Sequence, residues 1–141
     1  MTQLSILTNN GTQVVRMGMQ NLTAEIPQVG RLQIYRTSQR IVSRMKIYPP
    51  ERMGQKYIRT YNLQRSWEII SRSNGYTIRN NASFGGKTYA KYPVGNAYGL
   101  EQAWMHTGRW QKFRDVNDEE VSKLPPELDG LITQVARRVG L

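Results

Sequence analysis

The chain has 141 residues, a formal net charge of +10 and no cysteine. This length fits a single domain over residues 1–141, and 38% hydrophobic residues are enough for a packed core, which argues against general disorder. The absence of cysteine excludes disulfides, thiolate metal sites and cysteine nucleophiles, and it fits a reducing cytoplasm. No apolar run long enough for a membrane span and no secretory signal is visible, so we expect no membrane association.

Charge is distributed unevenly along the chain. Residues 1–114 contain seventeen lysines and arginines against four acidic residues, whereas residues 115–141 contain three against six. This asymmetry predicts either DNA binding through the basic part, or head-to-tail contact in which the acidic segment of one subunit meets the basic face of the next. A merely solvated surface is the third interpretation, and charge alone leaves all three open.

The N-terminal part predicts a strand followed by a helix. Leu4–Leu7 is typical of a short strand, and Asn9-Asn10-Gly11 ends it. The apolar residues between positions 14 and 22 match helical spacing loosely, which predicts a first helix there. Pro27 and Gly30 are then expected to break the chain.

A longer helix is predicted over residues 31–47. Its core-facing stripe consists of Leu32, Tyr35, Val42 and Met45. Tyr48-Pro49-Pro50 ends this helix, because the residue before a proline avoids the helical region and proline donates no backbone hydrogen bond. Residues 49–58 are then expected to form a basic, mobile loop.

The opposite face of this helix carries Arg36, Arg40 and Arg44, spaced four residues apart. Like charges at this spacing repel, so the pattern favours a nearby anionic group. DNA is one candidate for that group, and a solvated basic face is the commoner alternative.

The middle of the chain predicts a small antiparallel sheet. Thr60 is suited to cap a short helix that presents Leu63 and Trp67 on one face. Two strand-like runs follow, joined by Asn74-Gly75, which suits a two-residue type I′ hairpin turn. A third strand is predicted near residues 88–92, between glycine-rich loops.

The C-terminal part predicts an amphipathic helix that begins at Pro125 or Pro126. Its apolar stripe consists of Leu128, Leu131, Ile132, Val135 and Val139. Arg137 and Arg138 in the last turn complement the helix dipole. The chain shows no regular alternation of strands and helices, so we expect an α+β fold in which a small antiparallel sheet packs against a long central helix and this C-terminal helix.

No pattern of residues predicts an enzyme, a cofactor or a metal site. His106 is the only histidine, which argues against a zinc site, and no nucleophile can be placed beside it to make it a general base. Gly85-Gly86-Lys87-Thr88 resembles the end of a phosphate-binding loop but lacks the first glycine, because Asn81 stands in its place. The acidic cluster from Asp115 to Glu120 lacks the spacing of a calcium loop.

Basic and aromatic residues alternate over residues 87–92 and 104–114. This composition supplies phosphate contacts and base stacking in nucleic-acid-binding proteins. It is equally the composition of the energetic centres of protein interfaces. The residue types alone leave these two functions nearly level.

A series of short motifs runs from Tyr48 to Trp110. In order they are Tyr48-Pro49-Pro50 after a long helix, Arg59-Thr60-x-Asn62-Leu63-x-x-Ser66-Trp67, a hairpin, Tyr89-Ala90-x-Tyr92, Gly95-Asn96, and Gln102-Ala103-x-x-His106-x-Gly108-Arg109-Trp110. In order and spacing the series, which covers about half the chain, resembles a family of small neck and tail-completion proteins of long-tailed bacteriophages and prophages. One position departs from the family: Tyr61 stands where glycine is common, so that turn is expected either to be built differently or to face a different neighbour.

The resemblance implies a structural virion protein rather than an enzyme. It implies an α+β subunit that forms a homo-oligomer, a hexameric ring, at the head-tail junction around the DNA channel. Its implied partners are head-closure or connector proteins, tail-terminator or tail-tube proteins, and DNA in the channel through non-specific contacts. Such a protein is found in the host cytoplasm during assembly and then in the virion.

The interface residues that we predict are Arg59, Trp67, Tyr89, Tyr92, Trp104, His106, Arg109 and Trp110, with Arg36, Arg40 and Arg44 as candidate DNA-facing residues. Trp67 is the member of this set that a core position would explain most easily. Two alternatives stay open: a tail-terminator ring protein, and a basic cytoplasmic nucleic-acid-binding protein.

Overall fold

The computed structural model describes residues 2–9, 12–19, 25–56 and 58–138, and it describes side chains for residues 27–56 and 58–135. The strands in these ranges are β1 (Thr2–Asn9), β2 (Thr12–Met19), β3 (Trp67–Arg72), β4 (Gly75–Asn80), β5 (Ser83–Phe84) and β6 (Lys87–Thr88). The helices are α1 (Glu25–Met45), α2 (Asn62–Arg65), α3 (Lys91–Val94), α4 (Phe113–Ser122) and α5 (Leu124–Arg138), with a 3₁₀ turn at Trp104–His106.

The predicted α+β class is confirmed. Strands β1 to β4 form one antiparallel sheet in the order β1-β2-β4-β3, and β5 pairs with β6 in a separate small hairpin. Helix α1 contacts β2, β3 and β4 of the sheet and also α4 and α5, so it joins the sheet to the C-terminal helices. This central helix therefore contributes to both halves of the core.

The helix predicted over residues 14–22 is wrong, because most of this segment belongs to β2. Its apolar residues Val15, Met17 and Met19 alternate with other residues, which is the period of a strand. Strand β2 pairs with β1 over its full length, from Thr12 opposite Asn9 to Met19 opposite Thr2. The predicted strand Leu4–Leu7 is confirmed within β1, whereas Leu22 lies outside the described residues.

Strands β3 and β4 form the predicted hairpin, with a turn that differs in detail. Arg72 pairs with Gly75, so the two connecting residues are Ser73 and Asn74. Neither has a positive φ angle, which excludes the predicted type I′ turn. Positive φ angles at two successive residues occur instead at Gly85-Gly86, which connects β5 to β6.

The third strand predicted near residues 88–92 is largely wrong. Only Lys87 and Thr88 pair as strand residues, whereas Lys91–Val94 is helical. Because Gly85-Gly86-Lys87-Thr88 forms the tip and one arm of a hairpin, it does not lead from a strand into a helix as a phosphate-binding loop does.

Helix α1 begins earlier than predicted and buries a different stripe. Pro27 is tolerated because it lies in the first turn, where backbone N–H groups have no helical partner. Val42 and Met45 are buried as predicted, but Leu32 is exposed and Tyr35 is half-buried. The apolar residues that fill the core from this helix are Ile34, Ile41, Val42 and Met45, at i, i+7, i+8 and i+11.

The C-terminal part forms two helices separated by Lys123. Helix α5 begins one residue before the predicted prolines, and Leu128 and Val135 are buried as the stripe predicted. Helix α4 was not predicted, because Asn117 and Glu120 occupy two of its buried positions in place of apolar residues. The prolines bend the helical pair because they cannot donate to the hydrogen-bond ladder. Val139 and the side chains of Arg137 and Arg138 lie outside the described part.

A cluster of ion pairs, which we call the arginine–glutamate cluster, joins α1 to α4 and α5. Arg40 contacts Glu120 at 3.0 Å and Glu127 at 3.1 Å, and Arg44 contacts Glu120 at 3.1 Å and Glu119 at 2.7 Å. The side chain of Glu120 is only 4% exposed. The anionic group favoured by the spacing of the arginines is thus found within the chain itself.

The arginine–glutamate cluster predicts a loss of stability in acid. Burial alone would raise the pKa of Glu120, but hydrogen bonds from Arg40, Lys123 and Arg44 outweigh it and hold that pKa below its usual value. A lowered folded-state pKa contributes stability that is complete above the unfolded-state pKa and is lost as the pH falls through the folded value. We expect urea unfolding to give a constant free energy at neutral pH and a falling one below about pH 4.5. A free energy that stays constant down to pH 3 would contradict this prediction.

Two glycines predict opposite effects of the same substitution. A Cβ atom at Gly99, where φ is 74°, would approach the guanidinium carbon of Arg114 to 2.6 Å, whereas nothing lies within 4 Å of a Cβ atom at Gly130 in α5. We expect Gly99→Ala to lower the free energy of unfolding by about 1–3 kcal/mol. Gly130→Ala is expected to raise it by about 0.5–1 kcal/mol, because alanine favours a helix. Chemical denaturation of both variants measures the difference, and equal effects would contradict the prediction.

Candidate interface cleft

A cleft of about 310 Å³ lies between two segments that are irregular apart from short helices and the 3₁₀ turn, namely residues 46–56 with 58–63, and residues 89–112. Its lining residues are Tyr48, Gln55, Arg59, Thr60, Tyr61, Asn62, Leu63, Tyr89, Tyr92, Pro93, His106, Arg109 and Trp110. We call it the aromatic cleft, because four tyrosines and one tryptophan contribute to its walls. Its volume is at the lower end of the range of about 300–1,000 Å³ found for binding sites of small molecules.

Hydrogen bonds between side chains and backbone hold the two segments together. Arg52 donates to the carbonyl of Met105 at 3.1 Å, and Arg109 donates to the carbonyl of Pro50 at 2.9 Å. Each bond therefore ties the loop after α1 to the segment around the 3₁₀ turn. The described part of the predicted loop, residues 49–56 and 58, is irregular as expected, and it is anchored at these two points.

Gln102 fixes the position of Pro93 relative to Trp110, two residues that line the cleft. Its side-chain amide donates to the carbonyl of Pro93 at 2.7 Å and to that of Trp110 at 3.1 Å. A backbone bond from Ala103 to Tyr92, at 2.8 Å, lies beside them. Because both amide hydrogens of Gln102 are used, this side chain has a structural role next to the cleft rather than a contact role within it.

Stacked rings form one wall of the aromatic cleft. The ring of Tyr48 lies 4.8 Å from that of Trp110, edge to face, and 5.1 Å from that of Tyr61, nearly parallel. The guanidinium carbon of Arg59 lies 5.4 Å from the centre of the Tyr48 ring and 6.0 Å from that of Trp110. Its side chain is only 11% exposed, so Arg59 is held in place by these rings.

Tyr61 adopts the backbone conformation that glycine favours. Its φ angle is 59°, in the left-handed region, where a residue with a Cβ atom costs about 1–2 kcal/mol. The stacking of Tyr61 on Tyr48 is of a kind that contributes about 0.5–1.5 kcal/mol beyond area burial, which offsets much of this cost. The backbone is therefore held in a glycine-like conformation while an aromatic ring is added to the cleft.

Positive charge is concentrated at the cleft. Burial, followed by the charges of Arg109 and Arg52, lowers the pKa of His106, so the imidazole is neutral at neutral pH. Desolvation, followed by the charges of Arg52 and Arg59, also lowers the pKa of Arg109. Glu51 offsets part of this charge, because it contacts Arg59 at 3.8 Å. Arg52, Arg59 and Arg109 are close enough to destabilise one another, and a bound anionic group would relieve this repulsion.

Six of the eight predicted interface residues line the aromatic cleft. These are Arg59, Tyr89, Tyr92, His106, Arg109 and Trp110. Trp104 lies outside the lining and is 84% exposed. Trp67 is 9% exposed and packs against Phe113, with ring centres 5.4 Å apart, so its environment is that of the core.

The three candidate DNA-facing arginines differ in their surroundings. Arg40 and Arg44 bind glutamates in the arginine–glutamate cluster, so the structure gives both of them an intramolecular role. Arg36 is exposed. Glu119, Glu120 and the half-buried Glu127 are engaged in the same cluster, so much of the acidic segment that we expected to meet a neighbouring subunit binds within the chain.

Sequence reasoning missed three residues that matter to the cleft, namely Tyr48, Arg52 and Tyr61. Tyr48 was interpreted only as part of a helix stop, and Tyr61 only as a departure at a turn. Both belong to the motif series, so the signal that could have identified them was present. Arg52 lies in a loop without periodicity, and no pattern pairs it with Met105, fifty-three positions away.

No group of histidine, cysteine, aspartate and glutamate side chains suited to a metal ion occurs among the described residues. In the same part of the chain, none of the helices has the length and apolar content of a transmembrane span. Comparisons of the chain with family models, with curated proteins and with solved structures found no match.

Proposed function

We propose that this chain is a structural subunit of a long-tailed phage or prophage, which assembles as a ring at the head-tail junction and joins head-connector to tail proteins. The observation that carries the proposal is the convergence of six predicted interface residues, from three separate places in the sequence, on one aromatic cleft. Residues chosen for their resemblance to neck and tail-completion proteins thus share one surface.

The composition of this surface supports a protein interface. Aromatic side chains and arginine are the residues that most often dominate binding energy at protein interfaces. Exposed apolar side chains accompany the cleft, among them Met53, Ile58, Trp104 and Met105 in its two flanking segments. Exposed apolar side chains grouped in this way are typical of binding surfaces.

The copy number of the chain in particles tests the proposal. Particles purified from a phage or an induced prophage that encodes this chain would be digested and analysed by quantitative peptide mass spectrometry. A copy number of about six is expected, because the resemblance implies a hexameric ring, in which one heterologous contact is repeated until the ring closes. Absence of the chain from finished particles would contradict the proposal.

Two other functions make different predictions. A tail-terminator ring protein would have a similar copy number, and the position of its density in a particle map would distinguish it. A cytoplasmic nucleic-acid-binding protein, suggested by the basic residues 1–114, would be absent from particles and would bind DNA with an affinity that falls steeply with salt.

A further inference from the structure

We propose that the aromatic cleft binds an acidic peptide segment of a partner protein, with an apolar side chain placed among the rings and a carboxylate bound by Arg59 and Arg109. The proposal rests on the proposed function, because an assembly subunit has to bind a second protein. The inference adds to it the chemistry of the segment that the second protein would place in the cleft.

Charge is the first argument. Arg109 makes one hydrogen bond to a backbone carbonyl and Arg59 one long contact to Glu51, at 3.8 Å, whereas a guanidinium group has five N–H donors in a planar fork. Donors therefore remain on both for a carboxylate, whose two oxygens match this fork. Desolvation, followed by the charges of Arg52 and Arg59, lowers the pKa of Arg109, and a bound carboxylate would counter these charges.

An unsatisfied polar atom in the lining is the second argument. His106 Nδ1 is buried and has no hydrogen-bond partner among the described residues. Buried polar atoms are satisfied in the great majority of cases, so such an atom beside a cleft indicates a missing ligand group or water. A peptide backbone supplies both donors and acceptors for it.

The remaining polar contacts show how the cleft is arranged for a narrow segment. Tyr89 accepts a hydrogen bond from Asn62 at 3.1 Å, which closes one side, and Leu63 provides an apolar floor. Nucleic acids are bound through many phosphate contacts along an extended groove. Here the arginines instead surround one small aromatic cavity, which fits a side chain and its neighbouring carboxylate better.

A different protein, rather than a second copy, is the best source of the acidic segment. The buried Glu120 and the half-buried Glu127 bind Arg40 and Arg44, so releasing either to fill the cleft of a neighbour would remove ion pairs that join α1 to α4 and α5. The exposed Asp118, Glu119 and Asp129 lie within helices, so they do not form an extended acidic segment. A partner with free carboxylates binds without that cost.

Peptide binding to the purified full chain tests the inference. The probe is acetyl-Asp-Phe-Asp-Leu-Asp-amide, and the matched control peptide replaces each aspartate with asparagine. We expect the acidic peptide to bind about tenfold or more tightly than its neutral control and to shift the NMR signals of Trp110 and Tyr61. Equal binding of the two peptides would overturn the inference.

Variants locate the contact. Arg109→Gln and Tyr92→Ala are each expected to weaken acidic-peptide binding about tenfold, whereas Arg36→Gln, on an exposed position of α1 outside the cleft, leaves it unchanged. Two variants are used because Arg109 also bonds to Pro50, and circular dichroism reports whether each remains folded. Unchanged binding by folded Tyr92→Ala and Arg109→Gln would overturn the inference.

Two further measurements exclude other occupants. A short oligothymidylate that binds the same residues more tightly than the acidic peptide would overturn the inference in favour of nucleic acid. Self-association that the acidic peptide blocks would assign the cleft to a second copy and would equally overturn it. Both measurements use purified protein, so their results do not depend on the copy number in particles. If the chain is present in particles but its cleft does not bind the peptide, only this inference is contradicted, and the proposed function is not.

Discussion

Trp67→Ala is expected to lower the free energy of unfolding by about 3–5 kcal/mol, the usual result of truncating a buried tryptophan. Trp67 begins β3, is 9% exposed and packs against Phe113 of α4, so its removal leaves a cavity where the sheet meets the C-terminal helices. Urea unfolding followed by circular dichroism measures the loss, because tryptophan fluorescence would change with the substitution itself.

Trp104→Ala provides the matched control. Trp104 is 84% exposed, so its replacement is expected to change the free energy of unfolding by less than about 0.5 kcal/mol. Under the proposed function it lowers the yield of complete particles instead. Equal destabilisation by the two substitutions would contradict the assignment of Trp67 to the core and Trp104 to the surface.

Glu120→Gln is expected to lower the free energy of unfolding by about 2–3 kcal/mol. This carboxylate contacts both Arg40 and Arg44 and is 4% exposed, and glutamine keeps its size while removing its charge. Breaking a fully buried pair costs about 3–5 kcal/mol, and a smaller value is expected here because both arginines are about a third exposed and partly screened by water. Chemical denaturation at neutral pH measures the effect.

Glu119→Gln is the control, because it removes the same charge from the neighbouring residue of the same helix. The side chain of Glu119 is 62% exposed and contacts Arg44 alone, so we expect a loss of less than about 1 kcal/mol. The Glu120→Gln variant should also unfold with a weaker dependence on acidic pH than the unmodified chain. Similar losses in the two variants would show that burial of Glu120 contributes nothing.

Local sequence patterns predicted the elements whose own residues carry a clear strand or helix signal. The hairpin of β3 and β4 was found from two strand-like runs around Asn74-Gly75, and helix α5 was found from apolar residues at helical spacing. Helix α4 was missed because Asn117 and Glu120 face the core, and the burial of Glu120 depends on Arg40, which lies eighty residues away. Strand β2 was mistaken for a helix because the pairing that fixes it, with β1 and β4, is not visible in a short window.

The candidate site was predictable in its members but not in its arrangement. Tyr89, His106 and Trp110 were chosen from their types and motif positions, and they line one cleft. Arg40 and Arg44 were considered for DNA contact, because their repeated spacing indicates a nearby negative group but does not show which group it is. The glutamates that form these ion pairs come near only when α4 and α5 fold against α1.

The arginine–glutamate cluster also affects how the chain is made. Its bonds join residues that are seventy-five to eighty-seven positions apart, so the first arginine emerges from the ribosome long before its glutamate has been translated. Contacts of such separation form late and slow the folding of a domain. Until the last helix is released, the nascent chain carries α1 with its apolar and charged faces both uncovered, a state prone to aggregation. Premature termination before codon 120 is therefore expected to yield a product that the cell's proteases degrade rather than a stable shortened chain.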